Sequence, residues 1–147
     1  MVKSLDYREF PELLEHVGIQ LWRAAALWKS EFDAGMIAAG HDVFAHARSG
    51  LLAHMDRAGT RQVDLVARSG LTKQAVQQFI DELVADGIVE RIRDPEDGRG
   101  RIIVFTQHGR RVLGDANTVK KRVEERFRRK LGAERFRALV AALNDLA

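Results

Sequence analysis

Lys73, Gln74, Gln77 and Gln78 fall on one side of a segment whose other side is Val76, Phe79, Ile80 and Leu83. A glutamine amide carries a donor and an acceptor at fixed separation. That pair matches the edge of an adenine, and each such match contributes about 1–3 kcal/mol of discrimination against a wrong base. Lys73 lies in the first helical turn, where a phosphate or a base edge is within easy reach. Thr72, just before it, suits the helix N-cap. A single surface glutamine is only a good helix former; three with a lysine on one face point to contact with duplex DNA. Further along, Arg99 and Arg101 are flanked by Gly98 and Gly100. Glycine lets a backbone approach closely, and arginine suits the negative potential of a narrow minor groove. Asp94, Glu96 and Asp97 weigh against a loop that seeks only phosphates. One of these three, Asp97 foremost, is expected to orient an arginine there, and a solvated hairpin with internal ion pairs is the alternative.

Other constellations are weaker. His41, Asp42, His46 and His54 cluster in sequence. Their spacing does not put three ligands on one helical face, so pocket-lining or surface histidines are expected rather than a metal site. Trp22, Trp28, Phe32 and Phe44 read mainly as core. Trp22, Trp28 and Phe44 could also stack on an aromatic or phenolic ligand, with His41, His46 and Arg48 meeting its anionic end. No nucleophile with base and orienter, glycine-rich phosphate loop or HExxH is present. Asp81-Glu82 and Glu124-Glu125 are adjacent pairs that diverge on a helix. The expectation is a protein that is not an enzyme and carries no cofactor or metal.

These side chains need elements to position them. A long helix is predicted from about Pro11 to Phe32, with Pro11 at its first position, Glu12 and Glu15 near its positive end, and a stripe of Leu14, Val17, Leu21, Ala25, Trp28 and Phe32. A second helix is expected over Asp42–Arg57, with Val43, Phe44, Ala47, Leu51, Leu52 and Met55 inward and Gly50 weakening it by about 1 kcal/mol relative to alanine. A short helix over Gln62–Ser69 should bury Val63, Val66 and Ala67. Gly70-Leu71-Thr72 turns into a helix over Lys73–Asp86, which Gly87 stops. Residues 88–93 and 101–105 make a two-stranded hairpin with a charged tip. A long helix from Gln107 to Gly132 follows, then one carrying Phe136, Leu139, Val140, Leu143 and Leu146. The terminal helices have apolar stripes with no place in a small winged core. Pairing with a second copy resolves this most simply, and a monomeric helical cap is the competing arrangement.

The 147 residues suit one domain with extra helices, 46% hydrophobic and 31% charged, without cysteine. Disulfides and thiolate chemistry are therefore excluded. The N-terminus lacks the apolar run of a signal peptide and no stretch could span a bilayer, so the expected location is the cytoplasm and no membrane partner is expected. Net charge is only +3. The basic excess sits at the C-terminal end, where residues 112–147 hold 9 Lys and Arg against 5 Asp and Glu. That helix is either a solvated face or a surface that attracts phosphate.

Gly70-Leu71-Thr72, Val76, Asp81, Leu83, Gly87-Ile88-Val89-Glu90-Arg91, Asp94 through Arg99, and Phe105 through Gly109 form a pattern over Gln62 to Leu113. In it the sequence resembles the MarR family of winged-helix regulators of antibiotic and stress responses. Its specific part is Asp97-x-Arg99 followed by a strand and Thr106. The resemblance implies an obligate dimer, a recognition helix at Lys73–Asp86, and Arg99 reaching the minor groove. It also implies a ligand pocket between the dimerisation helices and the winged core, whose occupancy lowers DNA affinity. Gln78 and Glu82 depart from the family, which often has basic residues there, so a shallower salt dependence is expected. The absence of cysteine excludes the family's thiol-based peroxide sensors.

The expected fold is thus mainly α with a small β-hairpin wing: a winged helix-turn-helix over 41–106, flanked by dimerisation helices in 1–40 and 107–147. The expected function is that of a homodimeric transcriptional regulator, a repressor relieved by a small aromatic or phenolic effector. Its partner is double-stranded DNA, a pseudo-palindromic operator with half-sites roughly 10 bp apart. Thr72, Lys73, Gln74, Gln77, Gln78, Arg99 and Arg101 are the candidate DNA contacts. A winged helix that binds a protein instead of DNA is the alternative.

Overall fold

A computed structural model describes residues 14–98 and 100–146. Helix α1 (Val17–Ala38) leads into two 3-10 segments, Asp42–Ala45 and Ala47–His54. Strand β1 (Thr60–Arg61), α2 (Gln62–Ser69), α3 (Lys73–Ala85), β2 (Val89–Arg93) and β3 (Arg101–Phe105) follow, then α4 (Gln107–Leu131) and α5 (Ala133–Leu146). The sheet order is β1-β3-β2, antiparallel throughout. The protein is a mainly helical winged helix-turn-helix, as expected. The predicted helix start at Pro11 and Glu12 and the wing residue Arg99 lie outside the described residues.

The core forms where the apolar faces converge. Met36 from α1, Leu51 from the second 3-10 segment, Leu65 from α2, Val76, Ile80 and Leu83 from α3, Ile103 from β3 and Val112 from α4 are fully buried. Thr72 caps α3 by accepting from the Ala75 N–H at 3.1 Å. Gly70 ends α2 in the left-handed region. After α3, the Ile88 N–H reaches back to the Leu83 carbonyl at 3.0 Å across Gly87. This wraps the chain into β2. Thr106 joins the hairpin to α4. Its hydroxyl donates to the Gly87 carbonyl at 2.6 Å and accepts from the Gly109 N–H at 2.9 Å.

Three local expectations are corrected. The predicted α-helix over 42–57 is two 3-10 segments separated by an extended His46 (φ −120°, ψ 149°). The Ser49 hydroxyl donates to the His46 carbonyl at 2.9 Å. That bond competes with α-helical pairing at a stretch already weakened by Gly50. Val43, Phe44, Leu51 and Leu52 still turn inward, but Ala47 is exposed. In α2 it is Leu65 that is fully buried, while Val63 is 70% exposed and Ala67 exposed. At about 100° per residue, a helix that buries Leu65 turns Val63 to the far side. Finally, the hairpin has a third strand. Thr60 pairs with Ile103 and Arg61 with Ile102. Gly59 (φ +103°) enters that strand where a β-carbon would lie 2.6 Å from Ile102 and 2.7 Å from Val104.

The terminal helices are half used. The stripe on α1 is buried only at its C-terminal end, at Phe32 and Met36, while Leu14, Val17 and Trp22 are largely exposed. On α5 Phe136 is buried, and Leu139, Val140, Leu143 and Leu146 are exposed. No helix among the described residues is long and apolar enough to cross a membrane.

Candidate nucleic-acid interface

Burial of Val76, Ile80 and Leu83 fixes the rotation of α3 and turns Lys73, Gln74, Gln77 and Gln78 to solvent. Thr72 is exposed too, although its hydroxyl oxygen is occupied by the cap. Two of the glutamines are already hydrogen-bonded. Gln78 donates to Glu82 Oε1 at 2.9 Å. Gln77 donates to both Asp81 oxygens at 3.1 and 3.2 Å, and its carbonyl accepts from Gln62 Nε2 at 2.7 Å. Asp81 in turn receives Arg91 Nη2 at 2.5 Å. The bond from Gln77, and then the Arg91 guanidinium, hold the Asp81 carboxyl below its ordinary range.

Beside this face an open cleft of about 700 Å³ separates the starts of α2 and α3 from the wing. Lys73, Arg101 and Asp97 line it together with Arg61, Gln62 and Asp94. Asp94 is 1% exposed. Its carboxylate accepts from Arg61 Nε at 2.7 Å, from the Glu96 N–H at 2.9 Å and from the Asp97 N–H. The Arg61 bond is the largest of the effects that hold the Asp94 carboxyl below its ordinary range. Arg61 also reaches Glu96 Oε2 at 2.9 Å. The Asp94 N–H donates to the Gly100 carbonyl at 3.1 Å, and the Gly100 N–H to that of Asp97 at 2.8 Å. A buried aspartate thus closes the wing on itself and ties it to the start of α2.

Asp97, the foremost candidate for orienting an arginine, lines the cleft, and its carbonyl accepts from the Gly100 N–H in the wing's turn. Across the same cleft Asp94 holds Arg61. Sequence reasoning missed Arg61, Gln62 and Arg91; Asp94 was one of the three acidic residues from which an arginine partner was expected, and it holds Arg61. Asp94-Pro95 was a readable signal, since aspartate before proline favours a turn closed by its own carboxylate. Nothing local marks the other three, because their partners are 33, 15 and 10 residues away.

A second cavity, about 310 Å³ and mostly apolar, lies between α1, α4 and the second 3-10 segment. Trp28, Phe32, Phe44, Leu52 and Leu113 line it, with Lys29 and Lys120 among its polar residues. Trp28 stacks on Phe32 at 5.2 Å between ring centroids, and Phe44 meets Phe32 edge-on at 5.4 Å. Of the candidate ligand contacts, the structure brings Trp28 and Phe44 together here. Trp22 is 78% exposed and outside this lining. His41 is also outside it, with Nε2 2.8 Å from Asp115 Oδ2, and His46 is exposed. Arg48 is engaged by Asp86 through Nε at 2.6 Å and Nη2 at 3.3 Å, which ties the second 3-10 segment to the end of α3. No metal-binding group of three His, Cys, Asp or Glu occurs among the described residues.

Residues 46–100 match the sequence model of the MarR family. The transcriptional regulator HosA of Escherichia coli O111:H- is 30% identical over 79 residues, which is 54% of this chain and 58% of HosA. An uncharacterized HTH-type transcriptional regulator of Bacillus subtilis (strain 168), YdgJ, is 30% identical over 93 residues, 63% of this chain and 56% of that protein. These matches therefore span less than three-fifths of the curated relatives. Over longer stretches the fold is that of wild-type MarR from E. coli, solved in its apo form. That structure has a TM-score of 0.75 at 18% identity, with 91% of this chain and 98% of that one covered. The transcriptional repressor CouR, solved on a 23-mer DNA duplex, gives a TM-score of 0.66 at 25% identity, with 92% and 99% covered.

Proposed function

Residues 46–100 match the MarR family of winged-helix proteins, and on that likeness we propose that the chain is a member of it: a homodimeric, sequence-specific DNA-binding transcriptional regulator. The observation that carries this reading is the exposed face of Lys73, Gln74, Gln77 and Gln78, set beside a cleft that Lys73 and Arg101 share with the wing. In this reading α3 enters the major groove, Lys73 and the N-terminal end of α3 meet the phosphates, and the wing with Arg99 and Arg101 follows the flanking minor groove. The relatives' printed descriptions as transcriptional regulators, and a duplex-bound neighbour of the same fold, support it.

The dimer follows from α1 and α5, whose apolar residues stay exposed in a single chain. Regions 1–40 and 107–147 are the dimerisation arms, and 41–106 holds the DNA. The aromatic cavity is the seat of an effector, an aromatic or phenolic small molecule that lowers operator affinity and relieves repression. Work on chromosomal DNA places the protein in the cytoplasm.

Selection of bound duplexes from a random pool, with affinity then titrated against salt, tests the reading. The expected product is a pseudo-palindrome with half-sites roughly 10 bp apart. Binding without sequence enrichment that collapses as salt rises would mean non-specific coating instead. No binding at low salt would favour a protein-interaction module. The observation on that side is that Arg48, Arg61, Arg68 and Arg91 are each paired with a carboxylate, which leaves the winged core fewer unneutralised cations.

A further inference from the structure

The hydrogen-bond chain from Gln62 through Gln77 and Asp81 to Arg91 runs across three elements of the winged core and passes through Gln77, a side chain offered to DNA in the reading above. A glutamine amide is nearly symmetric in shape but not in chemistry, because its oxygen only accepts and its nitrogen only donates. Here both ends are assigned. The Asp81 carboxylate can only accept, so it takes the Gln77 NH2; turning that amide over would set two oxygens against each other. At the other end the Gln77 carbonyl receives the Gln62 NH2. Arg91 holds Asp81 in place from β2. After these bonds Gln77 retains one N–H and one acceptor lone pair. That is the complement needed for an adenine edge, with its polarity fixed.

We propose that Asp81 is a specificity-determining positioning residue: it holds the Gln77 amide in one polarity, with Gln62 steadying the other end, and through Gln77 fixes the base read opposite it as adenine. The proposal rests on the DNA-binding reading above and adds to it Asp81 of α3 and Gln62 of α2, neither of them among its candidate contacts. Free of this chain, Gln77 could present donor and acceptor in either order and tolerate more than one base. Gln62 is half-buried at the start of α2 and lines the cleft.

The test compares operator selection by the full-length wild type, Gln62→Ala and Asp81→Asn. Asparagine keeps the shape of aspartate but offers both a donor and an acceptor, so it no longer dictates which way Gln77 faces. In Asp81→Asn one base pair per half-site should lose its adenine preference, whereas Gln62→Ala, which leaves the carboxylate to orient the amide, should keep it. The loss should come from discrimination on the order of five- to a hundred-fold. The remaining positions and the salt slope should stay as in the wild type. Thermal melting of each variant accompanies the selection, because a merely structural role would lower the melting temperature and weaken every sequence equally. An unchanged operator logo in Asp81→Asn, or a uniform loss at all positions, overturns the proposal while leaving the DNA-binding reading intact. Failure of the wild type to select any duplex overturns both.

Discussion

At the scale of single residues, the wing depends on one buried carboxylate. Asp94 must be ionised to accept from Arg61 and from two backbone N–H groups at once. Its proton affinity is lowered in the folded protein, so the tie is fully present above the ordinary aspartate range of about pH 4 and is lost as pH falls below it. Exchange at the Glu96 N–H, taken relative to the intrinsic amide rate at each pH, should therefore speed up in acid in the wild type. In Asp94→Asn it should be fast at neutral pH, with the acid step gone. The same variant should bind operator several-fold more weakly at neutral pH, since a loosened wing pays ordering entropy on docking. Equal exchange and equal affinity in the two proteins would show that the wing holds its shape without Asp94.

At the scale of elements, α4 lies so close to the β2 start that only a glycine fits between them. A β-carbon at Gly109 would stand 2.0 Å from the Ile88 carbonyl oxygen and 3.2 Å from the Phe105 ring. Neither is the end of a flexible chain, so the backbone itself must move. Gly109→Ala should cost more than about 2 kcal/mol, seen as a melting temperature lower by roughly 5–10 °C. A variant as stable as the wild type would mean that α4 can slide away from β2 freely. The same elements show what a sequence can and cannot reveal. The period of Val76, Ile80 and Leu83, the cap at Thr72 and the stop at Gly87 are local, and each reads directly as α3 and its outward row. The 3-10 segments were hidden because Val43, Phe44, Leu51 and Leu52 suit either kind of helix. Only the Ser49 bond to an extended His46 distinguishes them. Strand β1 was hidden because two residues have no period, and their partners Ile102 and Ile103 are more than forty residues away. Asp94 could have been read from Asp-Pro, but its partner Arg61 could not.

At the scale of the molecule, one protomer leaves Leu14, Val17, Leu139, Val140, Leu143 and Leu146 in water on its two terminal helices. Covering them against a second copy gives an obligate interface, and such interfaces commonly bury about 2,000 Å² or more. Light scattering should give twice the 16.6 kDa protomer mass. Val140→Glu with Leu143→Glu should halve that mass and abolish tight operator binding, whereas a wild-type monomer would point to the helical cap instead. Helices α1 and α4 bound the aromatic cavity, and the second 3-10 segment, which also lines it, is tied to the end of α3 through Arg48 and Asp86. A ligand there lowers DNA affinity only by as much as it prefers the DNA-free arrangement; a ten-fold effect requires about 1.4 kcal/mol of preference. Ala53 lines that cavity next to Leu52, so Ala53→Phe inserts a ring where the effector would sit. If the cavity is coupled to α3 through the 3-10 segment, this variant should remain dimeric, bind operator several-fold more weakly, and no longer respond to a phenolic compound that releases the wild type. If it binds operator normally yet has lost the phenolic compound, the cavity holds a ligand that α3 does not sense, and release must act through the spacing of the two reading helices instead.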